Sequence, residues 1–384
     1  MIRQPKILQW LVPRPAKHTL ALLAAFVLTS VASSQAAITT NSNVAYATVS
    51  ASQKLDLYVP STTNGPLPLI IRIHGGAFSG GDKSSEASAV PALTARGYAV
   101  ASLNYRLSGE ALFPAGAQDV KAAVRFLRAN AATYGLDPNR FAAWGWSAGG
   151  YFAALLGATG DQATIFDDFS LGNSNVSSAV QAVVSWYGLY DFGTMDSQQM
   201  ANPPVSCPTT WLMHNAANSP ESIWLGGALP TIPAKVAQAN LTNYTFTAGY
   251  LPPFQQAHGD NDCLVPWAQD VELTTALTNR GASSQLTIEP GWTHGDPRFA
   301  SQLTTPALNF LDAQLNPVAA LTARVNGGQL EISWPANAAG SLQWISDLPA
   351  NTWNAVTNTP SQSNTTSRVV LPLDSSLRFF RLAK

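Results

Sequence analysis

The sequence predicts an α/β fold, a mostly parallel central sheet flanked by helices, with a small all-β module behind it. Three observations carry this expectation. Apolar strand-like runs alternate with helical patterns between residues 45 and 315, the order that builds parallel sheets. The residues with reactive side chains fall just after those runs, at the C-terminal edge of the expected sheet. Beyond Asn316 and Pro317 the helical pattern stops and short alternating runs replace it.

Residues 1–36 carry Arg3, Lys6, Arg14 and Lys17 without an acid, then an apolar run from Leu20 to Ala32, then Ser34, Gln35 and Ala36. Charged, apolar and small-residue zones in that order define a secretory signal cleaved after Ala36. The apolar run is shorter than the roughly 20 residues a membrane-spanning helix needs, so no stable span is expected after cleavage. The expected location is secreted or periplasmic.

Ala45 to Pro60 has the pattern of two short strands. Leu67 to Ile73 is almost continuously apolar, which marks a strand covered on both faces. Tyr98 to Tyr105 gives the next strand. Ala117, Val120, Val124, Leu127 and Ala131 then recur at three- and four-residue spacing, the stripe of an amphipathic helix. Tyr134 to Arg140, with Gly135 and Pro138, is expected as a turn, followed by a strand at Phe141 to Trp144. Ala182 to Tyr187, Pro253 to His258 and Gln285 to Ile288 complete the strands. The block 192–250 exceeds a simple crossover and is expected to form a cap or lid, within a main domain of residues 37–316. Pro297 to Leu315 is helix-like.

Residues 317–384 form the expected β-sandwich-like module. Its signals are Asn326, Gly327 and Gly328 between alternating runs, then Leu342 to Ile345, Trp353 to Val356 and Ser367 to Leu371. Trp344 and Trp353 are expected in its core, with sugar stacking as the alternative.

Charged residues make up 11% of the 384-residue chain, against about 25% in typical soluble domains. Removing the leader leaves 17 Lys and Arg against 22 Asp and Glu, a net charge of −5, with no basic patch of the kind nucleic-acid binding requires. Cys207 and Cys263 are the only cysteines, and in an exported chain they are expected to be bridged. Closing that loop of roughly 57 residues contributes about 3 to 4 kcal/mol in chain-entropy models. No Cys/His cluster has zinc spacing, so neither a metal nor another cofactor is expected.

Gly145, Trp146, Ser147, Ala148 and Gly149 form a G-x-S-x-G between a strand and a helix. A serine at such a turn is lifted clear of the sheet as a nucleophile. Of the five histidines, His18 lies in the leader, His74 and His258 end strands, and His214 has no acid motif before it. His294 alone follows the Asp262 motif, so Ser147, Asp262 and His294 satisfy the order nucleophile, acid, base. Asp260 is the rival acid and is expected as a turn residue. Arg106 and Asp119 are expected either as a supporting ion pair or as solvated surface charges.

Several spaced motifs together resemble the α/β-hydrolase esterases related to hormone-sensitive lipase and to bacterial feruloyl esterases. They are Leu55-Asp56-Leu57-Tyr58-Val59-Pro60; His74-Gly75-Gly76-Ala77-Phe78 with Gly81-Asp82-Lys83; Asn104-Tyr105-Arg106-Leu107; the Ser147 turn; and His258-Gly259-Asp260-Asn261-Asp262 with Val265-Pro266. The likeness runs from about Tyr46 to Leu315. It implies an α/β-hydrolase fold and a serine carboxylesterase in which Ser147 attacks, His294 takes its proton and Asp262 orients the imidazole. It also implies an oxyanion hole from backbone N–H groups of Gly76, Ala77 and Ala148, with Ala77 where close relatives carry a third glycine.

Phe78, Trp146, Tyr187, Trp267 and Trp292 flank these motifs and are the candidates for lining an acyl or aromatic pocket. The expected substrate is a small or polysaccharide-linked ester with a short acyl, acetyl or feruloyl group. Two alternatives stay open: a peptidase of the prolyl-oligopeptidase type, and a catalytically silent extracellular binding protein. Acyl preference and oligomeric state are not encoded in any motif.

Overall fold

The computed structural model describes residues 37–61, 66–160, 162–207, 213–315, 321–326, 329–335, 341–346, 353–362, 366–372 and 378–383. The leader, the Asn316–Pro317 boundary and the Gly327–Gly328 turn lie outside the described residues.

Eight strands form one sheet: β1 (Ile38–Ala45), β2 (Lys54–Pro60), β3 (Leu67–Ile73), β4 (Ala99–Leu103), β5 (Leu136–Trp146), β6 (Ala182–Trp186), β7 (Phe254–Gly259) and β8 (Ser284–Glu289). Their spatial order is β1-β2-β4-β3-β5-β6-β7-β8. β1 and β2 pair antiparallel, and β2 with β4 likewise; every later pair is parallel. The fully buried runs of β3, β4 and β6 explain their unbroken apolar sequence.

Helices cover both faces. They are α1 (Val90–Thr94), α2 (Ala115–Ala129), α3 (Ala131–Tyr134), α4 (Ala148–Thr159), α5 (Met195–Ala201), α6 (Pro220–Leu225), α7 (Pro233–Ala239), α8 (Thr242–Thr245), α9 (Ala268–Asn279) and α10 (Thr304–Leu315). On one face the sheet packs with α2 and α4 around Leu69, Ile71, Val124 and Phe152. On the other, Ile70, Trp144 and Val184 meet Leu308 and Leu311 of α10. This is the α/β-hydrolase arrangement expected.

Two local expectations are corrected. The first strand spans Ile38–Ala45 rather than starting at Ala45; it is an edge strand with mostly exposed Thr and Asn, so it lacks an apolar signature. Residues 136–140, expected as a turn, already belong to β5. A register shift between Leu67 and Leu69, whose partners are Leu136 and Phe141, leaves Pro68 and Pro138 out of the paired ladder.

The described residues of the block 192–250 include α5 to α8, and Trp224, Leu225, Leu229 and Leu241 join the main core. The Trp224 ring stacks on Phe78 with centroids 4.0 Å apart and planes 6° from parallel. Near the C-terminus a four-stranded and a three-stranded antiparallel sheet share an apolar cluster of Ile332, Trp334, Leu342, Val369 and Leu371.

Because Trp224 is 1% exposed while Ile223 on the same helix is 47% exposed, their truncations separate core from surface. Trp224→Ala should lower unfolding free energy by about 3 to 5 kcal/mol and Ile223→Ala by less than about 0.5 kcal/mol, measured by urea denaturation.

Candidate active site

β5 ends at Trp146, and Ser147 turns the chain into α4 with φ 55° and ψ −126°. That backbone is costly for a residue with a side chain and holds only where neighbours enforce it. The enforcement is crowding: a Cβ on Gly145 would lie 1.9 Å from Gly149 O, and one on Gly149 2.1 Å from Ile73 O. Only glycine fits at either place, which is the physical content of the motif. Ser147 N also donates to Trp186 O at 2.9 Å.

The loop after β8 carries His294 to the same edge. His294 Nε2 lies 2.9 Å from Ser147 Oγ, and Nδ1 lies 2.6 Å from Asp262 Oδ2. Asp262 follows β7 and is 2% exposed. Its Oδ1 accepts from the N–H groups of Leu264 (2.7 Å) and Val265 (2.9 Å), and Oδ2 also meets His258 Nε2 at 3.1 Å. Burial alone would raise its carboxyl pKa, but the two imidazoles and their hydrogen bonds outweigh that and hold it well below the usual carboxylate range.

Asp260 is exposed and its Oδ1 accepts from Gly291 N at 2.6 Å, a link to the loop after β8 rather than the local backbone bond expected of it. The Asp262 loop is fastened from the α5 side. Cys207 and Cys263 form a disulfide with Cα atoms 6.0 Å apart, Gln199 Nε2 donates to Asp262 O at 3.0 Å, and Ser206 N donates to Asn261 Oδ1 at 2.9 Å.

After β3, Gly76, Ala77 and Phe78 all have positive φ, at 122°, 54° and 59°. Ala77 therefore adopts a backbone conformation that favours glycine. The strand end leading into this turn packs against the first turn of α4, a Cβ on Gly149 lying 2.6 Å from His74 O; Ala148 N–H there is one of the groups a helix leaves without an intrahelical partner. His74 is 1% exposed and stacks on Tyr105 at 4.5 Å. Its Nδ1 donates to Gly75 O at 2.7 Å, and burial lowers its pKa, favouring the neutral ring. It supports the turn.

The remaining motifs interlock beneath it. Lys83 Nζ pairs with Asp56 at 2.7 Å, Lys83 N donates to Asn104 Oδ1 at 2.6 Å, and Asn104 Nδ2 donates to Asp82 Oδ2 at 2.7 Å. Arg106 is bidentate to the fully buried Asp119, at 2.9 and 2.7 Å. That pair is an internal support rather than a solvated surface feature.

The aromatic candidates divide. Trp146 and Tyr187 border a cavity of about 370 Å³ together with Arg72, Trp144, Trp186 and Phe299. Tyr187 stands edge-on to His294 with centroids 4.9 Å apart, and its own φ is 39°. Phe78, Trp267 and Trp292 do not border that cavity. The turn conformation sends Phe78 inward onto Trp224, Trp267 is half-buried at the N-cap of α9, and Trp292 packs edge-on against Phe299.

Sequence reasoning did not find three contributors: His258 against Asp262, Gln199 on the Asp262 carbonyl, and Glu86. Glu86 is buried and accepts from Trp146 Nε1 at 2.7 Å and Arg72 Nε at 2.8 Å. The four-residue spacing of His258 and Asp262 across a strand end was the one available signal. Among the described residues no group of His, Cys, Asp and Glu is arranged to hold a metal ion, and no helix is long and apolar enough to cross a membrane.

The BD-FAE family model matches residues 55–277, more than half the chain and from β2 through most of α9. The chain belongs to the BD-FAE family. This bears out the esterase resemblance seen in the motifs. The chain is 31% identical over 206 residues to the probable carboxylic ester hydrolase LipM of Mycobacterium tuberculosis, covering 53% of this chain and 43% of LipM. It is 26% identical over 256 residues to the isoprenylcysteine alpha-carbonyl methylesterase ICME of Arabidopsis thaliana, covering 63% and 54%. The chain thus spans about half the length of the curated relatives it matches. Among solved structures, a truncated carbohydrate esterase from gut microbiota is 31% identical with a TM-score of 0.64, over 74% of this chain and 98% of that one.

His258, buried between Asp262 and Asp270, should make stability pH-dependent. Burial lowers its pKa, but Asp262 and Asp270 outweigh this and push it up to about 10. A raised folded-state pKa stabilises fully below the unfolded value of about 6.5 and loses that contribution as pH rises through the folded value. The urea midpoint should therefore fall between pH 7 and pH 10, and fall less steeply in His258→Asn.

Proposed function

We propose that the protein is a carboxylic ester hydrolase working through an acyl-enzyme on Ser147. The observation that carries this reading is the hydrogen-bonded line from Ser147 Oγ through His294 to the buried Asp262, in a family whose relatives include named esterases. Ser147 Oγ attacks the ester carbonyl as His294 Nε2 takes its proton. Asp262 fixes the tautomer with the proton on Nδ1 and stabilises the imidazolium that forms. The N–H of Ala148, with those of Gly76 and Ala77, receives the developing oxyanion, each donor contributing about 3 to 4 kcal/mol to barrier lowering. His294 then protonates the leaving alcohol, and a water activated by the same ring hydrolyses the acyl-enzyme.

The substrate we infer is a short acyl ester, acetyl first, on a plant-wall carbohydrate, with feruloyl as the aromatic variant. Support comes from the carbohydrate esterase at 31% identity and from a bifunctional GH43-CE protein of Bacteroides eggerthii at equal identity, TM-score 0.63, over 72% of this chain and 35% of that one. Export fits a polymeric substrate, and the Cys207–Cys263 bond suits an oxidising compartment. The block 192–250 is assigned as the wall above the site, anchored by Trp224.

Turnover on p-nitrophenyl acetate, butyrate and octanoate, methyl ferulate, acetylated xylan and a proline-linked anilide tests this. Acetyl or feruloyl cleavage that disappears in Ser147→Ala is expected; cleavage of the anilide alone would overturn the esterase assignment. Asp262→Asn should lower kcat by about 10⁴-fold, while Asp260→Asn should remain near wild type. Opposite results would move the acid to Asp260.

A further inference from the structure

His258 is the second imidazole on the Asp262 carboxylate, and among the described residues its ring nitrogens meet only carboxylate and carbonyl oxygens. Its Nε2 lies 3.1 Å from both Asp262 Oδ2 and Val265 O, and a backbone carbonyl can only accept. Its Nδ1 lies 2.5 Å from Asp270 Oδ2. Asp270 is itself fixed, since its Oδ1 accepts from Tyr190 OH and from Gln256 Nε2, each at 2.7 Å. His258, Asp270, Gln256 and Tyr190 are all fully buried. A neutral ring next to two ionised carboxylates would turn one lone pair toward an anion out of reach of water; an imidazolium donates on both sides.

We propose that His258 is a permanently protonated positioning residue for Asp262: a buried cation, neutralised by Asp270, that aims the Asp262 carboxylate at His294 and moderates its field there. The inference rests on the proposed roles of Ser147, His294 and Asp262 and adds a second imidazole behind them. Asp262 Oδ2 is shared between His294 Nδ1 at 2.6 Å and His258 Nε2 at 3.1 Å. Rotation of the carboxylate that weakens one contact strains the other, while the two N–H bonds to Oδ1 fix the opposite oxygen.

The charged and titratable groups around the pair are few. Asp262 faces His258 from its own loop, Asp270 from α9, and Tyr190 from the segment after β6 through Asp270. Asp262 and Tyr187 face His294, with Arg72 and Glu86 beyond Tyr187. Removing the His258 cation leaves the Asp262 charge less compensated, which favours protonated His294. The acid limb of activity must therefore move to higher pH.

The test uses the full chain and p-nitrophenyl acetate. His258→Asn should lower kcat by about 10- to 100-fold, the range for losing one hydrogen bond to an ionised group, with KM little changed. The acid limb of kcat/KM should rise by on the order of one pH unit. Asp270→Asn leaves a neutral ring able to donate from Nε2, so its kcat loss should be smaller while the limb still rises. A packing role alone would lower melting temperature without moving the limb.

The charge is also readable without catalysis. Imidazole ¹⁵N shifts of the wild-type protein, assigned against His258→Asn, should show both His258 nitrogens protonated from pH 6 to pH 8. A neutral ring at pH 7, or an unmoved limb in folded variants, overturns the proposal. Should either variant fail to fold, the wild-type spectrum decides. Ester cleavage retained in Ser147→Ala would instead overturn the triad, whatever charge His258 carries.

Discussion

The upper edge of the sheet is organised by the burial of one carboxylate. An ionised group removed from water costs several kcal/mol unless its lone pairs are met by donors, and Asp262 is met by four: two backbone N–H groups and two imidazole nitrogens. Those donors come from the loop after β7, the end of β7 and the loop after β8. Satisfying the carboxylate therefore fixes three pieces of chain against each other. The position of His294 relative to Ser147 follows from that arrangement, because a ring held on one nitrogen has its other nitrogen aimed.

Strain is concentrated where this edge meets its neighbours. Ser147, Tyr187, Ala77 and Phe78 all occupy positive φ without being glycine, and such residues persist only when the surroundings over-determine them. Here the surroundings are dense. Phe78 is clamped by Trp224, Tyr187 stands against His294 and Phe299, and the Ser147 turn is hemmed by β3 and by its own helix. The helices of 192–250 thus take part in shaping the site through the core.

What the sequence disclosed followed from how local each constraint is. Gly145 and Gly149 announce the Ser147 turn because steric exclusion acts within five residues, and the unbroken apolar run of β3 announces a doubly covered strand. Asp262 could be separated from Asp260 by its neighbours Val265 and Pro266. Asp270, twelve residues beyond His258 and on a helix, gave no comparable sign, because its meaning depends on α9 folding back beside β7. Gln199 lies farther still. An aromatic beside a motif also does not reveal its direction: Phe78 and Trp146 looked alike, yet backbone torsion turns one into the core and leaves the other at a cavity. β1 went unread at its start because an edge strand of Thr and Asn carries its information in backbone pairing.

The Cys207–Cys263 bond ties the Asp262 loop to the segment after α5. Residue 263 adjoins Asp262, and residue 207 belongs to a segment that departs from the sheet before β7 exists in the growing chain. Besides this bond, the Gln199 and Ser206 hydrogen bonds join the same loop to that segment. A reduced chain would keep Ser147 hemmed between β5 and α4 but hold the residue beside Asp262 by noncovalent bonds alone, so sensitivity to reductant enters the site at Asp262 rather than at Ser147.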